Sequence, residues 1–160
     1  MKITRRQIRK IIKEAIESSD LSPGSKLLAL LEDNDSFYSG LSLMYPGVLE
    51  DASDDEKNQI ARVIFNKTRG WHDNPPTYVR DMERDIRDYD DNPDAEWVIS
   101  HSKAKEYKEL YENEVEEWFN RSKAVGELLD IYYYDLTNSS ATQYDDFNTF
   151  YKAFEDAEIF

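Results

Sequence analysis

Three closely spaced oxygen-bearing side chains have the spacing of the ligands in a calcium-binding loop. Asp90, Asn92 and Asp94 occupy what would be the first, third and fifth positions of an EF-hand. The sixth position is Ala95, where the sharp bend of such a loop requires glycine, and the twelfth is His101, where glutamate is needed. The segment therefore lacks the residues that complete a calcium site, and we predict no bound metal there.

Two pairs of carboxylates stand at helical i, i+3 spacing in the C-terminal half of the chain. Glu106 and Glu109 form the first pair, and Glu127 and Asp130 form the second. This ExxE…ExxD pattern resembles that of the all-helical MazG-like nucleotide pyrophosphohydrolases. The resemblance implies two antiparallel helices whose four carboxylates bind Mg²⁺, which would bridge a nucleoside triphosphate and orient a water. We keep this enzyme as an alternative hypothesis.

The chain is poor in the side chains on which most enzyme mechanisms depend. It contains no cysteine, which excludes disulfides, thiolate metal sites and a cysteine nucleophile. Neither His72 nor His101 has a second histidine or a glutamate three or four residues further on, so no HExxH-type metal motif is present. We expect His101 to be a hydrogen-bonded core residue, and we predict a noncatalytic protein without a cofactor.

The N-terminal segment has the sequence of a basic amphipathic helix. Thr4 and Gln7 form a capping box, and isoleucines then recur at helical spacing. Residues 2–13 carry six lysines and arginines and no acid, whereas the rest of the chain carries all 34 acidic side chains. Such a helix can bind a groove on a partner protein. The predicted partner-binding residues are Ile8, Ile11, Ile12, Ile16, Arg5, Arg6, Arg9 and Lys13.

Two further interpretations attach to this segment. The first is an ordinary opening helix, whose isoleucine stripe lies in the core and whose cations face the acidic body. The second rests on a resemblance: Met-Lys-Ile-Thr-Arg-Arg-Gln followed by Ile-Ile-Lys-Glu is similar to the start of uncharacterised proteins from marine tailed phages. The likeness covers residues 1–14, and it implies a phage origin and a shared address for virion assembly or packaging.

The stretch from Asp81 to Glu96 is a second charged feature, with eight carboxylates. Carboxylates along a helix can imitate the phosphates of duplex DNA, so an acidic DNA mimic that inhibits a host DNA-binding protein is another alternative. Arg84 and Arg87 lie in the same stretch and would neutralise part of this charge through neighbouring pairs. A solvated helix face is therefore the favoured interpretation.

Hydrophobic periodicity and capping signals predict helices throughout the chain and no strand. Ser53 and Glu56 form a capping box at the start of one helix. The apolar rhythm from Trp97 to Leu136 predicts either one helix of about forty residues or two helices joined near residues 120–122. A hinge or kink at 120–122 is favoured, because polar residues weaken the pattern there. The other predicted helices begin near Ser22, Pro75 and Tyr144, and the ambiguous residues 35–51 are interpreted as a short helix followed by a turn.

These features together predict an all-α fold, an irregular bundle of five to seven helices with a long C-terminal helix pair. Residues 1–18 form the basic helix and residues 19–160 form an acidic helical domain. The net charge of −14 disfavours binding to nucleic acids, and no apolar run is long enough to span a membrane. We expect a cytoplasmic protein, in the host cell or the virion, that docks to a protein partner; its oligomeric state is left open.

Overall fold

The chain folds into helices connected by short irregular segments. The computed structural model describes residues 21–68, 75–137, 144 and 146–160, which form seven α-helices and no strand. The predicted all-α class with five to seven helices is therefore confirmed for the described part of the chain. The helices are α1 (Pro23–Glu32), α2 (Phe37–Leu41), α3 (Asp54–Thr68), α4 (Thr77–Asp91), α5 (His101–Leu129), α6 (Tyr133–Thr137) and α7 (Phe147–Asp156).

One carboxylate joins the N-terminal ends of α1 and α3. The predicted capping box is confirmed, since the Ser53 amide donates to Glu56 Oε2 at 3.0 Å and the Glu56 amide donates to Ser53 Oγ at 3.3 Å. The other oxygen of Glu56 accepts from the hydroxyls of Ser22, the N-cap of α1, and Ser25. These hydrogen bonds, the one from Ser22 first, lower the pKa of Glu56 to about 2.

A lysine joins the opposite ends of the same two helices. Lys67, in the last turn of α3, donates from Nζ to the carbonyl oxygens of Leu31 and Glu32 at 2.6 and 2.7 Å. These carbonyls belong to the C-terminal turn of α1, where a cation is favourable. Partial burial, followed by the nearby Arg121, lowers the pKa of Lys67 to about 8. Because both ends are tied, α1 and α3 lie side by side and run in the same direction.

The hydrophobic core lies around α3. Its buried residues come from six of the seven described helices, and among those helices α4 contributes none. The side chains of Phe37, Ile60 and Phe150 are each 0% exposed. The cluster consists of Leu27, Leu31, Phe37, Leu41, Met44, Leu49, Ile60, Ala61, Ile64, Val125, Leu129, Leu136, Phe150, Ala153, Phe154 and Ile159.

The predicted hinge at residues 120–122 is wrong, because α5 is one continuous helix of 29 residues. The expected long C-terminal pair is therefore a single long helix followed by the short helices α6 and α7. Ser122 is fully buried, and its hydroxyl lies 3.1 Å from the carbonyl oxygens of both Thr68 and Trp118. The packing of α5 on α3 thus provides a hydrogen-bond acceptor for the Ser122 hydroxyl, although the polarity of this residue predicted a break in the helix.

The start of α5 also differs from the prediction. The apolar rhythm was predicted to begin at Trp97, but residues 92–100 are not helical and Trp97 is 67% exposed. Helix α5 begins at His101, where the hydroxyl of the N-cap Ser100 accepts from the amide of Lys103 at 3.3 Å. No helix among the described residues is both long enough and apolar enough to span a membrane.

Gly126 allows the chain to turn tightly at the end of α5. The Ile131 amide donates to the Gly126 carbonyl at 2.8 Å, and Asp130 between them adopts the left-handed conformation with φ 53°. A Cβ added at Gly126 would lie 2.8 Å from the backbone oxygen of Ile131. Glycine is therefore required at this position by a close approach of the backbone.

We predict that Gly126→Ala destabilises the fold. Alanine gains about 1 kcal/mol of helix propensity over glycine, but the clash with a backbone oxygen cannot be relieved by a side-chain rotation. The net loss should be about 1–3 kcal/mol, measured by urea unfolding. Asn120→Ala, an exposed substitution in the same helix, is the control and should change the unfolding free energy by less than about 0.5 kcal/mol; equal stability of the two variants would contradict the prediction.

We also predict that Glu56 gives the fold an acid-labile component. Its pKa is lower in the folded chain, about 2, than the ordinary value of 4.5, so its contribution is present above pH 4.5 and is lost as the pH falls towards 2. The urea midpoint of Glu56→Gln should lie below that of the unmodified chain at pH 7 and should approach it at low pH. Glu50→Gln, at an exposed carboxylate, is the control and should keep the original pH dependence.

Candidate functional site

The residues predicted to bind a partner lie outside the described residues. They are Ile8, Ile11, Ile12, Ile16, Arg5, Arg6, Arg9 and Lys13. The structure therefore bears on this prediction through the surfaces of the described domain, which are available to a partner or to the segment itself. His72 also lies outside the described residues.

The four carboxylates of the alternative enzyme site do not come together. Glu106 and Glu127 lie on the same continuous helix, α5, about 32 Å apart at a rise of ~1.5 Å per residue. Glu106 is instead paired with Lys103 at 3.0 Å, and Asp130 caps the far end of the helix. Within the described ranges, no group of three or more candidate ligands is placed to hold a metal ion. The predicted two-helix magnesium site, which also required Glu109, is wrong for a single chain.

The acidic stretch Asp81–Glu96 is partly neutralised by its neighbours. Arg84 lies 3.1 Å from Asp81 and 3.4 Å from Asp85, and Lys108 of α5 lies 2.7 Å from Asp90. These pairs are exposed, so each contributes at most about 1 kcal/mol to stability, but they do reduce the field that a DNA mimic requires. The pairing agrees with the favoured interpretation of this stretch as a solvated face.

Helix α4 and the N-terminal half of α5 form an antiparallel hairpin, and α4 contributes no residue to the core cluster. At one end the hydroxyl of Tyr89 lies 2.6 Å from Nδ1 of His101, and at the other the hydroxyl of Tyr78 donates to Glu114 at 2.9 Å. His101 is exposed, so its predicted place in the core is wrong although it is hydrogen-bonded. Val79 and Met82 are the buried residues of α4, and they belong to the hairpin and not to the core cluster.

The hairpin leaves one face of α5 uncovered. A shallow groove on this face, here called the α5 groove, is lined by Leu110, Asn113, Glu114, Glu116, Glu117 and Asn120. Leu110 is 44% exposed and Tyr78, beside Glu114, is 53% exposed. At the end nearest the core, the hydroxyl of Tyr38 donates to the Glu117 carbonyl at 3.3 Å. One edge of the groove is thus aromatic and apolar.

The other edge of the α5 groove is acidic. Glu109, Glu112 and Glu116 are exposed, and residues 109–117 include five glutamates and neither lysine nor arginine. This face was not predicted from the sequence, where the acidic stretch between residues 81 and 96 is the more prominent charged feature. The signal that could have found it is the run of glutamates without a compensating cation.

Both tyrosines along the groove have pKa values raised to about 12. For Tyr78 the largest cause is partial burial, followed by the hydrogen bond to Glu114. For Tyr38 it is partial burial, followed by the charge of Glu117. The tyrosines therefore stay neutral at physiological pH, and the negative charge of the groove comes from its carboxylates.

Comparisons with protein-family models, with curated proteins and with solved structures found no match to this chain. What the described residues offer chemically is a helical surface with an acidic edge and an apolar edge.

We predict that the chain does not hydrolyse nucleoside triphosphates. The carboxylates needed to bind Mg²⁺ are separated along α5 by far more than the 2.0–2.1 Å ligand distances that this ion demands. Incubation with the four ribonucleoside triphosphates and Mg²⁺ should release no pyrophosphate above the rate measured for Glu106→Gln and Glu127→Gln. Release that depends on these two glutamates would show that the carboxylates come together by another route.

Proposed function

We propose that the chain is a noncatalytic protein-interaction module, encoded by a tailed phage, that docks to a partner protein through residues 3–16. The isoleucine stripe would supply apolar contact, and the arginines and Lys13 would set the orientation on an acidic or polar rim. Docking of an amphipathic helix into a groove is a common mode of peptide recognition.

The observation that carries this proposal is the composition of the core. Six of the seven described helices already contribute to one continuous buried cluster, which runs from Leu27 to Ile159. Phe37, Ile64 and Phe154 within it are 0% exposed. We infer that this core is complete without residues 3–16, which would leave the opening amphipathic segment available for another surface.

The energetics are adequate for a specific complex. Burial of an isoleucine side chain contributes about 1.5–3 kcal/mol, so four of them supply enough for micromolar binding after the costs of ordering and association. The cations add orientation and a faster encounter with an acidic partner more than they add affinity.

The proposed setting rests on the N-terminal resemblance. Residues 1–14 are similar to the start of marine tailed-phage proteins, so we place the module in the host cytoplasm or in the virion. A segment that recurs in otherwise different proteins is typical of a targeting signal that one receptor recognises. The partner we favour is a receptor on the assembling virion.

The alternative of an acidic DNA mimic is less well supported. The carboxylates on which it was based include Asp81, Asp85 and Asp90, and each of these lies within 3.5 Å of an arginine or lysine. A mimic needs uncompensated charge at regular intervals. Binding of a host DNA-handling protein that is competed by duplex DNA would revive this alternative.

We predict that deletion of residues 1–18 abolishes partner capture and leaves the fold intact. The deleted chain should keep its helical circular dichroism signal and a cooperative thermal transition, because the core cluster is retained. Capture is measured by passing phage-infected host lysate over the immobilised chain. The partner protein that is retained is then purified, and its affinity for the full and the deleted chain is measured by titration. Unfolding of the deleted chain would mean that the segment belongs to the core, and would contradict the proposal.

Point variants of the full chain separate docking from a general effect of the deletion. Ile8→Ala with Ile12→Ala removes about 2 kcal/mol of apolar contact per residue, so affinity should fall by more than about 100-fold. Lys10→Ala with Glu14→Ala, which lie off the isoleucine stripe and outside the capping box, form the matched control and should leave affinity within a few-fold of the original. Equal loss in both pairs would contradict docking through the stripe.

A further inference from the structure

The α5 groove is a two-sided surface that matches the two sides of the N-terminal segment. The groove has exposed glutamates along one edge and Leu110, Tyr78 and Tyr38 along the other. A predicted helix of residues 3–16 has its isoleucine stripe beside its cations. From this match we propose that residues 3–16 dock on the α5 groove of their own chain when no partner is bound. This self-docking would regulate the segment's binding to a partner, and the inference therefore rests on the proposed function.

The spacing of the charges supports this pairing. Glu116 of the groove lining and the exposed Glu109 and Glu112 beside the groove stand at intervals of three and four residues along α5. In the segment, Arg6, Arg9 and Lys13 stand at the same intervals. Two helices side by side with the same rise per residue bring each such pair to the same level. Residue 6 then lies beside residue 109, and residue 13 beside residue 116.

The local charge balance explains why this face is favoured over other acidic surfaces. Along α4 the carboxylates of Asp81, Asp85 and Asp90 are already paired with cations. Residues 109–117 contain no lysine or arginine; of the flanking cations on α5, Lys108 is paired with Asp90 at 2.7 Å, Arg121 is paired with Glu117 at 3.1 Å, and Lys105 lies one turn before Glu109. The groove edge therefore carries an excess of negative charge, while residues 2–13 carry an excess of positive charge.

The length of chain before the described domain limits the course that the segment can take to the groove. The path begins at Ser22, which contacts Glu56, and follows α3 for about 18 Å to Thr68. Thr68 touches Ser122, and α5 runs a further ~20 Å from Ser122 to Glu109. Residues 17–21, extended, span at most about 17 Å, and a helix of residues 3–16 is about 21 Å long. In the register of the charge pairs residue 6 lies beside Glu109, and residues 6–21 span at most about 32 Å, so the segment must cross the bundle by a course shorter than the ~38 Å path along the two helices.

The direction of the chain is also consistent. Helix α5 before Ser122 lies beyond the end of α3, because Ser122 contacts the last residue of α3 and the helix α4 that follows it lies outside the core cluster. Residue 16 then lies at the near end, beside Asn120, and residue 3 lies at the far end. The segment runs parallel to α5, which is the direction that the matching charge intervals require.

Docking of this kind makes the segment unavailable until a partner competes for it. The isoleucines that would bind the partner face Leu110 and the tyrosine edge of the groove in the self-docked state. Since docking within one chain is favoured by a high effective concentration, a partner must offer a better apolar surface or neutralise the groove. High salt weakens the exposed pairs and should release the segment.

Spin labels in the full chain test the proposal, because the absence of native cysteine lets two be introduced cleanly. Gln7→Cys lies off the isoleucine stripe and Lys123→Cys is exposed and outside the groove. In the docked state these positions are about 22 Å apart, given the helical rise and an interaxial distance of ~9 Å. A narrow distribution near this distance in dilute protein, which broadens in 1 M NaCl, is the expected result.

Charge-reversal variants test whether the measured distance depends on the charges of the segment and of the groove. Glu109→Lys, Glu112→Lys and Glu116→Lys together should broaden the distribution, and adding Arg6→Glu, Arg9→Glu and Lys13→Glu should restore the narrow peak. The matched control reverses Glu83, Asp91 and Asp94 to lysine, at exposed positions away from the groove, and should leave the peak unchanged. Circular dichroism confirms that each variant is folded.

Several outcomes would overturn the proposal. A broad distribution in the unmodified chain, or a narrow one that survives reversal of the groove charges, would exclude docking on this face. A narrow distance that arises between two singly labelled chains in a mixture would assign the groove to a second copy. The distance measurements are made without a partner protein. They can therefore contradict self-docking while partner capture through residues 3–16 succeeds, so self-docking and partner docking are tested separately.

Discussion

The continuity of α5 through Ser122 is the constraint on which the rest of the structure depends. The buried hydroxyl of Ser122 contacts the carbonyl of Thr68, the last residue of α3, while Val125 and Leu129 beyond it enter the core cluster. A helix that is held at its centre in this way has two environments. Its C-terminal part is a core element, and its N-terminal part extends beyond the end of α3 with α4 as its neighbour.

This division determines what kind of chemistry the protein can perform. Carboxylates at opposite ends of a rigid helix cannot share an ion, so the pairs at Glu106 and Glu127 remain independent surface groups. The projecting half instead presents glutamates at regular intervals beside exposed apolar and aromatic side chains. Such a face suits recognition of an amphipathic basic helix, for which charge sets the register and apolar area supplies the affinity.

The ties between α1 and α3 determine where the N-terminal segment leaves the domain. Glu56 holds the start of α1 and Lys67 holds its end, so Ser22 is fixed beside the N-terminal end of α3. The segment can then lie along the bundle towards the α5 groove or extend to a partner. The two side chains titrate in different pH ranges, since the pKa of Glu56 is lowered to about 2 and that of Lys67 to about 8.

Local sequence signals predicted much of the fold. The Ser53 and Glu56 capping box, the start of α1 at Ser22 and Pro23, and the all-α class depend on contacts between residues close in sequence, and these were correct. Periodicity also identified core residues such as Ile60 and Phe150. Signals of this kind are readable because hydrogen bonds and side-chain faces within one helix follow a fixed geometry.

Other features were decided by tertiary contacts. Ser122 looked like part of a break because its polar neighbours lower helix propensity, but a partner on α3, 54 positions away in sequence, satisfies its hydroxyl. Tertiary contacts also placed His101 on the surface beside Tyr89, and they left Trp97 exposed outside any helix. Composition and spacing thus determined that this chain is an acidic helical protein with a basic opening segment. Only the packing of α5 on α3 decided which carboxylates stand together, because distances between helices are set by the core and not by the local sequence.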